Sequence, residues 1–152
     1  MRGLRRRAVA RLRKETAFGE RALRHFAFLI EEHGYKVFEV SDYSLSLVSD
    51  VARLVVGYDD RDPSVDLDVS PHFPDPALVD AWGPPRFDVE TMGVVLTGTS
   101  TWIPFVHGSD PETALVRLAQ EVRDRCMPVV LGDFSRGAEM VAHQERRMRR
   151  PR

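Results

Sequence analysis

The chain has 152 residues, of which 43% are hydrophobic and 30% are charged, as in an ordinary folded domain. This length suffices for one domain with its own core, and no apolar run approaches the roughly 20 residues that cross a bilayer. The single cysteine, Cys126, excludes a disulfide within the chain and is typical of a reducing compartment, so we expect a cytoplasmic protein that does not enter membranes.

The near-neutral total charge hides an uneven distribution. Residues 1–14 carry seven basic residues and no acid, and residues 143–152 carry five arginines and one glutamate. The segment 15–142 therefore holds ten bases and 22 acids, a net charge of −12. We predict a basic N-terminal tail (1–14), a single acidic domain (15–142) and a basic C-terminal tail (143–152).

The first regular element is an amphipathic helix. Phe18, Ala22, Phe26 and Leu29 recur at helical spacing, and Gly34 is a typical helix stop. This pattern predicts a helix over residues 16–33.

The period then changes to two, which is typical of strands with one packed and one wet face. Val65, Leu67 and Val69 alternate with Asp66 and Asp68 without exception. The short intervals predict an antiparallel meander. The four strand-like segments are YKVFEV, YSLSLVS, ARLVVGY and SVDLDVS.

The rest of the chain mixes short strands and helices. Residues 71–91 contain five of the ten prolines, and within them Asp75 and Pro76 predict the start of a short helix. MGVVLTG and TWIPFV resemble strands in composition, the second at a sheet edge because of Pro104. Helices are predicted over 110–126 and in RGAEMVAHQERRMRR. The order predicts an α+β fold: a mainly meander antiparallel sheet of about five or six strands with the N-terminal helix and C-terminal helices on one face.

Five aspartates crowd the third predicted hairpin. Turn chemistry explains such a loop, because aspartate side chains bond nearby backbone amides. A Ca²⁺ or Mg²⁺ site is the alternative, but the calcium-loop pattern fails at Val65 and Pro71, where glycine and glutamate are required. We therefore expect a turn followed by an acidic stripe, and no metal. The five residues are Asp59, Asp60, Asp62, Asp66 and Asp68.

A catalytic constellation is not evident. The sequence lacks H-E-x-x-H, C-x-x-C, G-x-S-x-G and glycine patterns that cradle phosphate. His107, between a predicted strand and a helix start, is the most suitable catalytic histidine, and Cys126 lies on an apolar stripe that favours packing. We lean away from an enzyme and expect no cofactor.

Aromatic residues in and after the proline-rich segment offer a contact surface, namely Phe73, Trp82, Phe87 and Trp102. If partly exposed beside acidic strands, they would suit protein binding. The alternative is that they pack in the core or as a lid. Our leading hypothesis is a protein-binding module with a basic partner, because an acidic surface speeds encounter with a cationic target.

A family resemblance points the same way. The layout RALRHFAFLIEEHGY, followed by the strands and by ALVRLAQEVRDRC, resembles small uncharacterised α+β proteins of high-GC bacteria, including immunity proteins that neutralise toxins. Only Lys14 and Lys36 among the 22 bases are lysine, as is usual in high-GC coding sequences. The resemblance implies an acidic face that blocks a partner's basic active site, without catalytic residues.

Two other functions stay open. Clustered arginines at both ends would contact the phosphates of RNA or DNA, although no aromatic residue lies among them and solvated tails are the alternative. A small-molecule binder or enzyme would use a pocket between sheet and helices, lined by Trp82, Trp102 and His107. The nucleic-acid candidates are Arg5, Arg6, Arg7, Arg146, Arg147, Arg149 and Arg150.

Overall fold

The computed structural model describes residues 2–61, 64–100 and 111–149, with side chains from Phe18 onward. The helices are α1 (Arg2–His33), α2 (Val89–Thr97), α3 (Pro111–Glu121), α4 (Met127–Val130) and α5 (Gly137–Arg149). The strands are β1 (Lys36–Val40), β2 (Ser44–Val48), β3 (Ala52–Asp59), β4 (Ser64–Pro71) and β5 (Phe87–Asp88).

The strands form one open sheet in the order β1-β2-β3-β4-β5, and every neighbouring pair is antiparallel. The predicted α+β class, the meander and the placement of helices at both ends of the chain are confirmed. None of the helices in the described part of the chain is both long enough and apolar enough to cross a bilayer.

One face of the sheet, called the inner face, carries the core. Leu45, Leu54 and Leu67 on three adjacent strands are no more than 1% exposed, and they meet Phe26 of α1 and Leu115 of α3 in one apolar cluster. Burying each side chain of this size contributes about 1.5–3 kcal/mol. The inner face therefore supplies most of the driving force for folding.

The first helix lies directly on the β1–β2 hairpin at Gly19. A Cβ built there would clash with the backbone oxygen of Ser41 and lie 2.9 Å from that of Ser44. Only a residue without a side chain permits this approach. The helix begins at Arg2, earlier than the predicted Thr16, because the preceding Arg, Leu and Ala residues favour helix.

The prediction that MGVVLTG forms a strand is wrong. The segment lies in α2, whose N-cap is Asp88 and whose C-cap is the left-handed Gly98. The Asp88 carboxylate accepts a hydrogen bond from the Thr91 amide at 2.8 Å. Capping at both ends and burial of Met92 outweigh the strand preference of the two valines. The other predicted late strand, TWIPFV, lies outside the described residues.

The remaining helices follow the sequence more closely. A short 3₁₀ helix spans Pro76–Leu78, and Asp75 is its N-cap. The Asp75 side chain accepts a hydrogen bond from the Ala77 amide at 2.9 Å. The helix predicted to end at residue 126 continues from α3 through a π-helical turn, Val122–Cys126, into α4. The predicted last helix is confirmed as α5.

Candidate binding surface on the outer face of the sheet

The face of the sheet opposite the core, called the outer face, follows directly from strand register. Val55 on β3 pairs with Ser46 on β2 and Asp68 on β4. Two pairs further along, Gly57 lies opposite Asp66. Because the period of a strand is two, the polar members of the alternating segments lie together here. The predicted placement of Asp66 and Asp68 away from the core is confirmed.

The segment after β4 returns along this face and forms one wall of a groove of about 500 Å³. We call it the sheet groove. Its floor comes from residues of β3 and β4, and its wall comes from the proline-rich segment that follows β4. The lining residues are Arg53, Val55, Asp68, Ser70, Pro71, His72, Trp82, Pro84 and Arg86.

Trp82 is held at the tip of a tight turn. Asp80 and Gly83 exchange two backbone hydrogen bonds of 3.2 and 3.1 Å, and the Asp80 carboxylate accepts from the Trp82 amide at 2.8 Å. Despite this fixed backbone, the Trp82 side chain is 92% exposed. The turn therefore presents a large aromatic side chain to solvent in a restrained position.

A second depression of about 430 Å³ lies on the other side of Trp82. We call it the C-terminal depression, since Val141 and Met148 of α5 line it together with Leu78. Trp82, Pro84 and Arg86 line both the depression and the sheet groove. The two hollows thus form one contact surface, divided by a ridge at Trp82.

The carboxylates of the outer face repel one another. Burial, together with the charges of Asp66 and Asp88, raises the pKa of Asp68 to about 6, and the nearby Arg86 only partly offsets this. Burial also raises the pKa of Asp66, with smaller contributions from Asp59 and Asp88. Neither Asp66 nor Asp68 has an ion pair within the described residues. Their charge is therefore incompletely compensated in the free protein.

Arg53 is the main cation on the groove floor. Its Nη2 donates a long hydrogen bond of 3.4 Å to the Ser46 hydroxyl, and its guanidinium lies 4.9 Å from the ring centre of Phe38. Its Nε is buried and has no hydrogen-bond partner within the described residues. The groove thus combines a cation with spare hydrogen-bonding capacity and, two strand positions away, the Asp68 carboxylate.

Asp88 belongs to an internal network. Arg147 donates from Nη1 to both Asp88 oxygens at 3.0 and 2.9 Å and to the Thr91 hydroxyl at 3.0 Å, and it approaches Glu90 at 3.3 Å. These contacts tie α5 to the start of α2. Arg147, a nucleic-acid candidate by sequence, is therefore occupied by carboxylates.

Two of the other arginine candidates are exposed to solvent. Arg146 and Arg149 are exposed on the last turns of α5. The side chains of Arg5, Arg6 and Arg7 and all of Arg150 lie outside what the structure describes.

The acidic hairpin matches the turn interpretation. Asp59 and Asp60 are exposed where β3 ends, and the Asp59 carboxylate accepts from the Arg61 amide at 2.9 Å. Asp62 lies outside the described residues. Within the described ranges, no three His, Cys, Asp or Glu side chains are grouped in a way that could hold a metal ion.

The aromatic candidates separate into two groups. Phe73 is 85% exposed and joins Trp82 as an exposed aromatic residue of the 71–86 segment. Phe87 is 1% exposed, and its ring centre lies 6.1 Å from the ring centre of Phe134. Phe87 therefore packs in the core, which was the alternative to a surface role. Trp102 and His107 lie outside the described ranges.

Cys126 is buried, and burial raises the pKa of its thiol to about 12. Its burial in the apolar cluster is in keeping with the packing role predicted for it.

Sequence reasoning missed Arg53, His72 and Arg86 as parts of the surface. Arg53 carried a weak signal, as a charged residue at an outward position of an otherwise apolar strand. The other two carried none, because only the return of the loop over the sheet brings them to the groove.

Comparison with family models, curated proteins and solved structures gave no match to this chain.

Proposed function

We propose that this protein is a non-enzymatic protein-binding module that holds a basic segment of a partner against the outer face of its sheet. The observation that carries the proposal is Trp82, 92% exposed on a restrained turn between two hollows. Tryptophan is the residue most enriched among those that dominate binding energy. Because the turn already orders the backbone at Trp82, binding there costs less backbone conformational entropy than binding through a flexible loop.

The chemistry of the partner follows from the carboxylates. Asp66 and Asp68 form no ion pair within the described residues; burial raises the pKa of both carboxyls, and neighbouring carboxylates raise them further. A lysine or arginine from a partner would relieve this repulsion and so gain more than it would at an isolated carboxylate. The net charge of −12 over residues 15–142 would also steer a cationic partner toward the domain.

The shape favours a protein segment over a small ligand. The sheet groove and the C-terminal depression adjoin at the Trp82 ridge, and together they extend from the strands to α5. An extended segment can place a cation at Asp68 and an apolar side chain against Val141 and Met148. Blocking a basic active site in this way is the action expected of an immunity-type inhibitor, and a cytoplasmic location suits it.

Photo-crosslinking in the cells that make the protein tests this function. A photoreactive phenylalanine analogue at position 82 should crosslink to one protein, which mass spectrometry identifies. The same analogue at Val116 is the matched control. Val116 is exposed on α3, away from the outer face of the sheet, so it should not capture that protein.

The purified partner then allows a quantitative test. Trp82→Ala should weaken binding about 30-fold or more, as expected for a dominant contact residue. The double change of Asp66 and Asp68 to Asn should weaken binding and reduce its dependence on salt. If calorimetry shows that Trp82→Ala binds as tightly as the natural chain, or if the crosslinked species is nucleic acid, the proposal fails.

A further inference from the structure

The open edge of the sheet at β1 carries an unusual set of exposed residues. All five residues of β1 are exposed, and its three apolar members, Val37, Phe38 and Val40, are 45%, 62% and 39% exposed. Among the strands of the described residues, β1 pairs with β2 alone. An edge with unpaired backbone groups and exposed apolar side chains is suited to pairing with another strand.

A bulge fixes which side chains share a face. The register shifts between Val37 and Glu39, so Val37 pairs with Leu47 and Glu39 pairs with Ser46. Lys36, opposite Val48, and Glu39 therefore lie on the outer-face side of the strand, and Phe38 lies there too, against Arg53. Val37 and Val40 lie on the inner-face side, opposite leucines of β2.

This pattern is self-complementary. If two copies of β1 pair antiparallel about a twofold axis at Val37, Lys36 of each copy faces the bulge residues Phe38 and Glu39 of the other. The arrangement gives two opposite-charge contacts on the outer-face side and a valine pair on the other side. Within the described residues, neither Lys36 nor Glu39 has an ion pair.

A lysine and a bulge on an edge strand normally discourage pairing. Here the lysine and the bulge disfavour strands that have no acidic residue opposite Lys36. A second copy of β1 is not disfavoured, because it supplies Glu39 at that place. Discrimination of this kind arises when a charge is unfavourable with every partner except the intended one. We infer that β1 is a self-association edge, through which two copies of this chain join their sheets into one continuous antiparallel sheet.

The contact is small, since each copy contributes the five residues of β1, whereas a standard interface uses about 20–30 residues on each side. The dimer is therefore weak and reversible. It does not depend on the proposed function, because it is argued only from the exposure, register and charges of β1, which lies at the opposite edge of the sheet from β5.

Sedimentation velocity over micromolar to low millimolar protein tests the pairing. The natural chain should shift from monomer to dimer with concentration. Lys36→Glu and Glu39→Lys should each weaken association at least about tenfold, because like charges then face each other. Arg117→Glu, an equal charge reversal on the exposed side of α3, should leave association unchanged.

Mixing the two variants gives the decisive result. One variant carries glutamate at both positions and the other carries lysine at both, so an equimolar mixture should form heterodimers at least as readily as the natural chain. Circular dichroism confirms that each variant is folded. A natural chain that stays monomeric, single variants that associate normally, or a mixture that stays monomeric would each overturn the inference.

Discussion

The two faces of the sheet are covered by different kinds of structure. On the inner face, Leu54 and its neighbours are buried under regular helices with apolar stripes. On the outer face, an irregular proline-rich segment covers only part of the strands and leaves a groove lined by Arg53 and Asp68, with Asp66 exposed on the same face. Alternate residues of β3 and β4 thus face two different environments, a core that excludes water on one side and a groove open to solvent on the other.

The difference separates stability from binding. Inner-face residues gain free energy by leaving water, whereas Asp68 is disfavoured by burial and by neighbouring carboxylates. Local conflicts of this kind concentrate at functional surfaces, since the rest of the fold can compensate for them. Stability measurements on matched pairs from the two faces can therefore test the assignment directly.

The largest effect is expected at Leu54. Leu54→Ala opens a cavity in the core and should lower the free energy of unfolding by about 2–5 kcal/mol. Val55→Ala, one residue away but on the outer face, should cost less than about 1 kcal/mol. Urea unfolding of both variants measures the difference. Equal losses would show that the two faces do not differ as the structure indicates.

A smaller loss is expected at Asp88 and Arg147. Asp88→Ala removes a helix cap and an ion pair and should cost about 1–2 kcal/mol. Arg147→Ala should also destabilise, and less than additively with Asp88→Ala, because the two residues share their contacts. Arg146→Ala, exposed on the same helix, is the control. If thermal unfolding shows that Arg146→Ala destabilises the protein more than Arg147→Ala, Arg147 has no structural role.

Asp68 should make stability depend on pH. Its folded pKa, about 6, is above the ordinary 3.8, so the folded state binds the proton more tightly and stability falls as pH rises from about 4 to above 6. Asp68→Asn should therefore raise the free energy of unfolding by on the order of 1 kcal/mol at about pH 7.5 and change it little at about pH 4.

Urea titrations at both pH values measure this effect. Asp60→Asn, at an exposed position of the hairpin, serves as the control. A gain for Asp68→Asn that is the same at both pH values would show that the Asp68 carboxyl titrates normally.

The smallest effect on stability is expected at Trp82, the residue proposed to contribute most to binding. Trp82→Ala should change the free energy of unfolding by less than about 0.5 kcal/mol, because its side chain is 92% exposed. Phe87→Ala, in the same segment but buried, should cost about 3–5 kcal/mol. Calorimetric unfolding of both variants provides the comparison. If Trp82→Ala strongly lowers the free energy of unfolding, the Trp82 side chain packs against the rest of the protein and is not available for binding.

The predictable part of the fold was the part with a clear period. Strict alternation in SVDLDVS identified β4 and its two faces, and helical spacing from Phe18 to Leu29 identified the packed half of α1. MGVVLTG was misread because its adjacent apolar residues fit either period. The signals that decide it were the caps, Asp88 with Thr91 three residues later and Gly98.

The candidate surface was only partly predictable. Asp66, Asp68 and Trp82 were identified because charge alternation and a lone tryptophan among prolines are visible in the sequence. The groove itself, with Arg53 and Arg86, was not. It depends on where the chain returns after β4, and that path is set by tertiary contacts with no local period.

Gly19 has a consequence for how this fold can vary. The backbone of α1 contacts the β1–β2 hairpin at Gly19, where a Cβ atom would not fit. The distance between α1 and the hairpin is therefore set at this single position. A chain descended from the same ancestor should either keep glycine there or show the helix lifted away from the hairpin. Because that hairpin contains β1, such a shift would also move the edge strand, and relatives without the glycine should differ in how they assemble.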